Sequence, residues 1–375
     1  MITALRDTVL DFLDKVDWPL LLALCAVMAS SLVVQSSAGG GEMRVVIAQG
    51  LRFVAGLGVM VLLSRVSPAR LRIWTPFVFG LTLALLPLVF AFGSGRSARL
   101  WINLGVFYLQ PGELLKISVP MMVAWYLHRV VLPPSWGSLL VCAAIIGVPV
   151  ALIIKQPDLG TGMLVAASGA FTLFLAGLAW WRIGLFAALG VGALPVAWMF
   201  LMPYQKDRIL MFLNPESDPL GAGWNIIQSK IAIGSGGWLG KGWGQGTQAH
   251  LDFLPEHTTD FAFSVLSEEW GWVGVSVVFA LYLFIVGRSL WIAANARDGY
   301  SRLLAGALAM TFSVYVLVNG SMVVGLLPVV GVPMPLLSYG GTSAVSLLAG
   351  FGIIMSVRAH RKFMSGTSWP PALRG

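Results

Sequence analysis

The chain has 375 residues, 57% hydrophobic and 11% charged, with a mean hydropathy of +0.83. Soluble domains are about a quarter charged, so a soluble enzyme with one anchor is excluded. Two cysteines, Cys25 and Cys142, both within apolar runs, exclude a disulfide scaffold and read as small core side chains. The net charge of +8 invites nucleic acid as a partner, a reading that the distribution of the charges removes.

Residues 1–17 alternate acidic and apolar positions at helical spacing (Leu5, Val9, Phe12, Leu13, Val16) and read as a cytoplasmic surface helix. A crossing helix needs about 20 apolar residues. Such runs lie at 18–37, 45–64, 73–92, 113–130, 137–154, 159–179, 183–202, 265–287, 303–326 and 340–357. The first has an acidic flank and no clean cleavage site, so it reads as a retained anchor, not a signal peptide. The expected fold is an all-α polytopic integral membrane protein of ten transmembrane helices. Its parts are a cytoplasmic segment 1–17, one membrane domain 18–358 with an extracytoplasmic loop 203–260, and a cytoplasmic tail 359–375.

An even number of spans puts both termini on one side. With the termini inside, 14 Lys and Arg face inward and 9 outward, and Arg52 lies within a span. Four of the outward nine belong to the long loop, which the positive-inside rule discounts. Both termini are therefore placed in the cytoplasm. The basic charge serves topology and anionic lipid, with no nucleic acid.

Two connections are long. Residues 93–112 form an outer loop, and 203–260 a longer one with nine glycines between 221 and 246 and with Trp224, Trp238 and Trp243. In it, WNIIQSKIAI predicts a short amphipathic helix in the interface, its Trp and Ile toward lipid. The run GSGGWLGKGWGQG suits close backbone approach, to a ligand or through tight turns. No Walker Lys-Ser/Thr follows it, so ATP binding is not supported. Between the last two spans, LLPVVGVPMPLLSYGGTS has three prolines and a glycine pair. It is expected to form a broken or re-entrant segment by the outer site.

The polar residues gather at the outer face. Gln110-Pro111-Gly112-Glu113 opens the fourth span and Gln156-Pro157-Asp158 the sixth. Asp158 reads as a helix cap, or as part of a site where two helix N-termini meet and favour phosphate. Glu113 and Lys116 are spaced to pair on one face, and read as a structural ion pair lining a polar cavity rather than a direct substrate contact. Arg52 reads as facing the bundle interior or snorkelling.

The densest constellation is Asp252, Glu256, His257, Asp260, Glu268 and Glu269. A span starting near 258 would set Asp260, Ser264 and Glu268 on one face, with Asp260 about 12 Å above Glu268. Asp260 reads as a surface site or a helix cap. Glu268 and Glu269 read as partners of loop cations or other spans. Arg208 and Lys230 supply cations, or are solvated. The four histidines are scattered, and neither a zinc triad nor a Ser-His-Asp order is present.

The runs RLWINLGVFYLQPGELLK, KQPDLGTG, FLNPESDPLGAGWNIIQSKIAIGSGGWLGKGWGQGT, FLPEHTTDFAFSVLSEEWG and GLLPVVGVPMPLLSYGGTS, in that order from about 96 to 345, resemble the SEDS family of cell-wall proteins. The long loop is closer to the family's elongation members than to its division members. Two positions depart from the family pattern: Gly112 stands where serine is common, and HTTDF replaces HTDF. The resemblance implies a peptidoglycan glycosyltransferase that polymerises lipid II for cell elongation and rod shape. It implies Asp260 as the essential aspartate, and Glu113, Lys116 and Asp158 as the other motif residues. It also implies a class B penicillin-binding protein transpeptidase as partner, with other elongation-complex proteins, in a bacterial inner membrane.

In that chemistry one base suffices, because pyrophosphate leaves as a stable anion. Asp260 is read as the base, and Arg99, Lys116, Arg208 and Lys230 with the two helix N-termini as candidates for the pyrophosphates. No cofactor is assigned; a divalent cation (Mg or Mn) could assist, although the sequence offers no dedicated cage of carboxylates for it. The rival functions are a lipid II flippase, whose polar site belongs near the midplane, and a non-catalytic scaffold.

Overall fold

The structure is a computed structural model that describes residues 16–94, 100–105, 108–214, 223–250 and 258–361. The helices in chain order are α1 (Trp18–Ala38), α2 (Met43–Arg65), α3 (Pro68–Phe92), α4 (Pro111–Leu127), α5 (Trp136–Lys155), α6 (Leu159–Leu175), α7 (Trp180–Phe200), α8 (Pro203–Leu213), α9 (Trp224–Ser235), α10 (Thr247–His250), α11 (Ala262–Ala294), α12 (Gly299–Val323) and α13 (Thr342–Ala359). Every apolar run read as a span is a helix. Eight of them are long and apolar enough to cross a membrane. The other two, α4 and α6, have 17 residues each, the lower limit for a crossing. The 93–112 connection carries the short antiparallel strands β1 (Ile102–Asn103) and β2 (Tyr108–Leu109).

The core is built from α1, α4, α11, α12 and α13. In a bilayer small residues let helices close up. A Cβ on Gly56 of α2 would strike Leu348 of α13, and one on Gly352 would lie 2.6 Å from the Met60 carbonyl. By contrast α7 buries none of its residues. It is attached near its start, by Trp181 and Phe186 against Trp136 and by Arg182 donating to the Pro134 carbonyl.

One charged knot joins three helix ends. Asp17 caps α1 through Leu20 N at 3.0 Å, and it binds Arg288 of α11 at 3.0 Å and Arg358 of α13 at 2.9 Å. The start of α1 and the ends of α11 and α13 therefore share one face of the bundle.

Two expectations change. The eighth expected span, α11, begins at Ala262 and is broken at Gly271 (φ 59°, ψ −159°), so Asp260 stands outside it and shares no helical face with Glu268. The glycine-rich loop fills the break. Lys241 N and Gly242 N donate to the Glu268 and Glu269 carbonyls at 3.0 Å, while Trp272 N and Val273 N donate to the Gly237 and Trp238 carbonyls at 2.9 and 3.1 Å. Interrupted helix leaves buried backbone groups that must be paired. A Cβ on Gly236 or Gly240 would collide with the Ser267 or Glu269 carbonyl. The glycines here serve chain-on-chain approach. The amphipathic helix is present as α9, but Ile226 faces the protein with Gln228, Ser229 and Ala232, and Ile231 is the exposed isoleucine.

Candidate active site

Two helix N-termini meet, as the repeated Gln-Pro openings suggested. Pro111 occupies the first turn of α4, where its missing N–H costs no helical bond. Asp158 caps α6, accepting from Thr161 N at 3.0 Å, and its other oxygen accepts from Gln110 Nε2 at 2.9 Å. One carboxylate thus ties both helix starts. Gly112 makes the approach feasible, since a Cβ there would lie 2.7 Å from Thr161 Cγ2.

One turn inside α4, Lys116 Nζ binds Glu113 Oε1 at 2.6 Å, each side chain only 7% exposed. Lys116 also donates to the Tyr315 hydroxyl, and Ser346 Oγ donates to Glu113 Oε2 at 3.1 Å. Both charges are held by side chains of α12 and α13 beside a cavity of 30 Å³, large enough to admit water.

The segment 324–341, irregular as its prolines required, is the hub of the site. Its backbone is paired by side chains reaching from the surrounding helices. Tyr282 OH donates to the Pro335 carbonyl at 2.7 Å, Ser31 Oγ to Leu337 O at 2.7 Å, and Gln49 Nε2 to Ser338 O at 3.3 Å. Gln35 Nε2 donates to Thr258 O at 2.9 Å, and Tyr339 N donates to the same carbonyl at 2.9 Å. This stitches the Thr258–Asp260 turn to the segment.

Asp260 is half-buried on that turn. The cap position of α11 falls to Phe261, which makes no side-chain cap bond. A Cβ on Gly331 would lie 3.7 Å from Asp260 Oδ2, and one on Gly160 would lie 2.5 Å from the Val330 carbonyl. Asp260 and the start of α6 therefore flank the same stretch of chain. Tyr315 joins the Glu113–Lys116 pair to it, packing with Leu164 and Val332.

The candidate cations border the segment. Arg208 of α8, exposed, donates to Val329 O at 3.2 Å. The exposed Lys230 of α9 lies over Gly325, where any Cβ would strike it. Arg99, Asp252, Glu256 and His257 lie outside the described residues. Arg52 stacks on Tyr339, 4.2 Å from the ring centroid, and bonds Gln49 Oε1 at 3.5 Å. Glu268 and Glu269 hold structure. Glu268 binds Lys241 Nζ at 2.6 Å and Thr247 N at 3.0 Å, and Glu269 accepts from Ser37 Oγ. Among the described residues, no three His, Cys, Asp or Glu side chains are grouped to hold a metal ion. A mainly apolar cavity of 370 Å³ opens between α9, α11 and α12, its wall including Phe263, Trp272, Phe279, Val316 and Gly320.

Sequence reasoning missed Tyr315, Asn319, Gln35 and Gln49. The available signal was chemical: an amide in an apolar span is costly unless bonded.

Residues 13–363 match the sequence model of a family of cell cycle proteins, FtsW/RodA/SpoVE. The chain belongs to the FtsW/RodA/SpoVE family. Within it, the peptidoglycan glycosyltransferase MrdB of Escherichia coli (strain K12) is 48% identical over 358 residues, 94% of this chain and 97% of MrdB. The peptidoglycan glycosyltransferase RodA of Treponema pallidum is 32% identical over 92% of this chain and 98% of its own. Among solved structures, a chain of a peptidoglycan synthase complex that coordinates polymerization and crosslinking superposes with a TM-score of 0.80, at 33% identity over 92% of this chain and 98% of that one. The rod shape determining protein RodA of Thermus thermophilus gives 0.71, at 29% identity over 92% and 97%. The FtsW/RodA/SpoVE assignment accounts for the mostly helical membrane architecture.

Proposed function

We infer that the peptidoglycan glycosyltransferase activity of this membrane protein is carried by Asp260 acting as general base on lipid II. The acceptor 4-hydroxyl oxygen bonds to the anomeric carbon of the growing glycan. The bond from that carbon to the pyrophosphate of the polyprenyl carrier breaks, and the carrier leaves with the electron pair. The hydroxyl proton passes to the Asp260 carboxylate and then to water. A glycosidase needs a second carboxyl group to protonate a poor leaving group, whereas pyrophosphate departs as an anion.

Arg208, Lys230 and Arg99, with the N-termini of α4 and α6, supply the positive field for the phosphates. Asp158 and the Glu113–Lys116 pair keep those two helix starts in place. The apolar cavity beginning at Phe263 suits the carrier's hydrocarbon chain. The observation that carries the reading is the seat of Asp260 against Gly331, with the start of α6 against the adjoining Val330.

The ten helices cross the membrane with both termini cytoplasmic and the site at the periplasmic face. The Asp17 knot of three helix ends supports that parity. A class B penicillin-binding protein transpeptidase and other elongation-complex proteins are the partners. This rests on the relative found within a peptidoglycan synthase complex.

Vesicles holding the chain, given labelled lipid II only in the leaflet nearest Asp260, should produce glycan strands. A flippase or scaffold would leave that lipid II unpolymerised, and such a result would overturn the enzymatic reading.

A further inference from the structure

Asn319 stands near the C-terminal end of α12, fully buried. Its Nδ2 donates to the Asp260 carbonyl at 2.9 Å and to the Val332 carbonyl at 2.7 Å. Both partners are carbonyl oxygens, which accept only, so the NH₂ end of the amide must face them. Its Oδ1 is buried and has no hydrogen-bond partner among the described residues. A buried amide with one end unsatisfied is a poor device for stability, and such groups in native proteins call for another explanation. Here both donors of one nitrogen are spent on holding the backbone of Asp260 to the residue that follows Gly331.

The helix that presents Asn319 also presents Tyr315, four residues earlier and therefore on the same face about 6 Å along the axis. Tyr315 accepts from Lys116 and packs on Val332. One face of α12 thus touches both halves of the site.

We propose that Asn319 is the positioning residue for Asp260: its amide fixes the Asp260 peptide against the Gly331–Val332 backbone and so sets where the carboxylate meets the acceptor hydroxyl. This rests on Asp260 being the base. Displacement of a catalytic group by about 1 Å can cost roughly 10²-fold in rate.

The test uses the full chain in proteoliposomes, with initial rates of polymerisation read over a range of labelled lipid II concentrations. Asn319→Leu keeps the branching and the number of heavy atoms and removes both donors. It should lower kcat about 10²-fold and leave KM within about threefold of wild type. Asn319→Ser, with one short donor, should fall between the two. In an Asp260→Asn background, Asn319→Leu should cause no further loss of residual rate. A folded Asn319→Leu protein with wild-type kcat, or with raised KM and unchanged kcat, overturns the assignment. So does failure of both Asn319 variants to give monodisperse protein, which makes the residue structural. Full activity in Asp260→Asn alone would instead remove the base, a separate outcome.

Discussion

The Glu113–Lys116 pair offers a quantitative test of what the polar residues of α4 do. Lys116→Met removes the ammonium and leaves the Glu113 carboxylate buried, with Ser346 as its remaining side-chain partner among the described residues. Removing one member of a buried pair costs about 3–5 kcal/mol, because the remaining charge is uncompensated. Substituting both members by apolar or neutral groups of similar size is often nearly neutral. The structure therefore predicts that Lys116→Met is destabilised by about 3–5 kcal/mol and that Glu113→Gln/Lys116→Met regains most of it. Reversible unfolding in mixed detergent, or the thermal midpoint of the protein in nanodiscs, reads the difference. The double variant should also recover part of the polymerisation rate if, as proposed, the pair shapes the start of α4 and does not contact the reacting atoms. A single variant as stable as wild type refutes the reasoning. A double variant that is stable yet wholly inactive refutes the structural role and assigns Lys116 to the substrate.

Three further outcomes follow from the packing. Gly240→Ala places a methyl group on the Glu269 carbonyl at a φ of +78°; it should expose the 236–246 loop to proteolysis and lower activity with the loss of fold, and an intact digestion pattern would contradict the chain-on-chain reading. Asp17→Asn leaves Arg288 and Arg358 without their shared carboxylate; it should lower the thermal midpoint while leaving kcat of the surviving protein unchanged, and an unaltered midpoint would show the knot to be dispensable. Gly320→Leu projects into the 370 Å³ cavity; it should raise KM for lipid II several-fold with little change in kcat, whereas unchanged KM would deny that cavity to the carrier chain.

Much of the fold was legible because its signal is local. Apolar runs marked the ten longest apolar helices, and short spacings marked the Glu113–Lys116 pair and the Asp158 cap. The prolines at 328, 333 and 335 marked the irregular segment. What was not legible depends on partners distant in the chain. The glycine loop gives no sign that it fills a break about 30 residues later, and Gly271 alone does not announce that break. Hydropathy gave α7 and α12 the same standing as spans. Yet α7 buries nothing, and α12 is largely buried. Asn319, Gln35 and Gln49 were missed for a related reason. A single amide in an apolar run has no periodicity, and its bonds go to backbone carbonyls that are anonymous in sequence. Asp260 itself was found by resemblance; its seat beside Gly331, and the fact that α11 starts after it, came from the three-dimensional arrangement.

The most direct measurement is the single-turnover rate of glycan transfer by Asp260→Asn, with lipid II binding measured separately on the same preparation. The account predicts binding within a few-fold of wild type and a rate lower by roughly 10²–10⁴, the worth of a positioned general base. A rate within threefold of wild type would contradict it and would send the search for the base to another side chain bordering the segment.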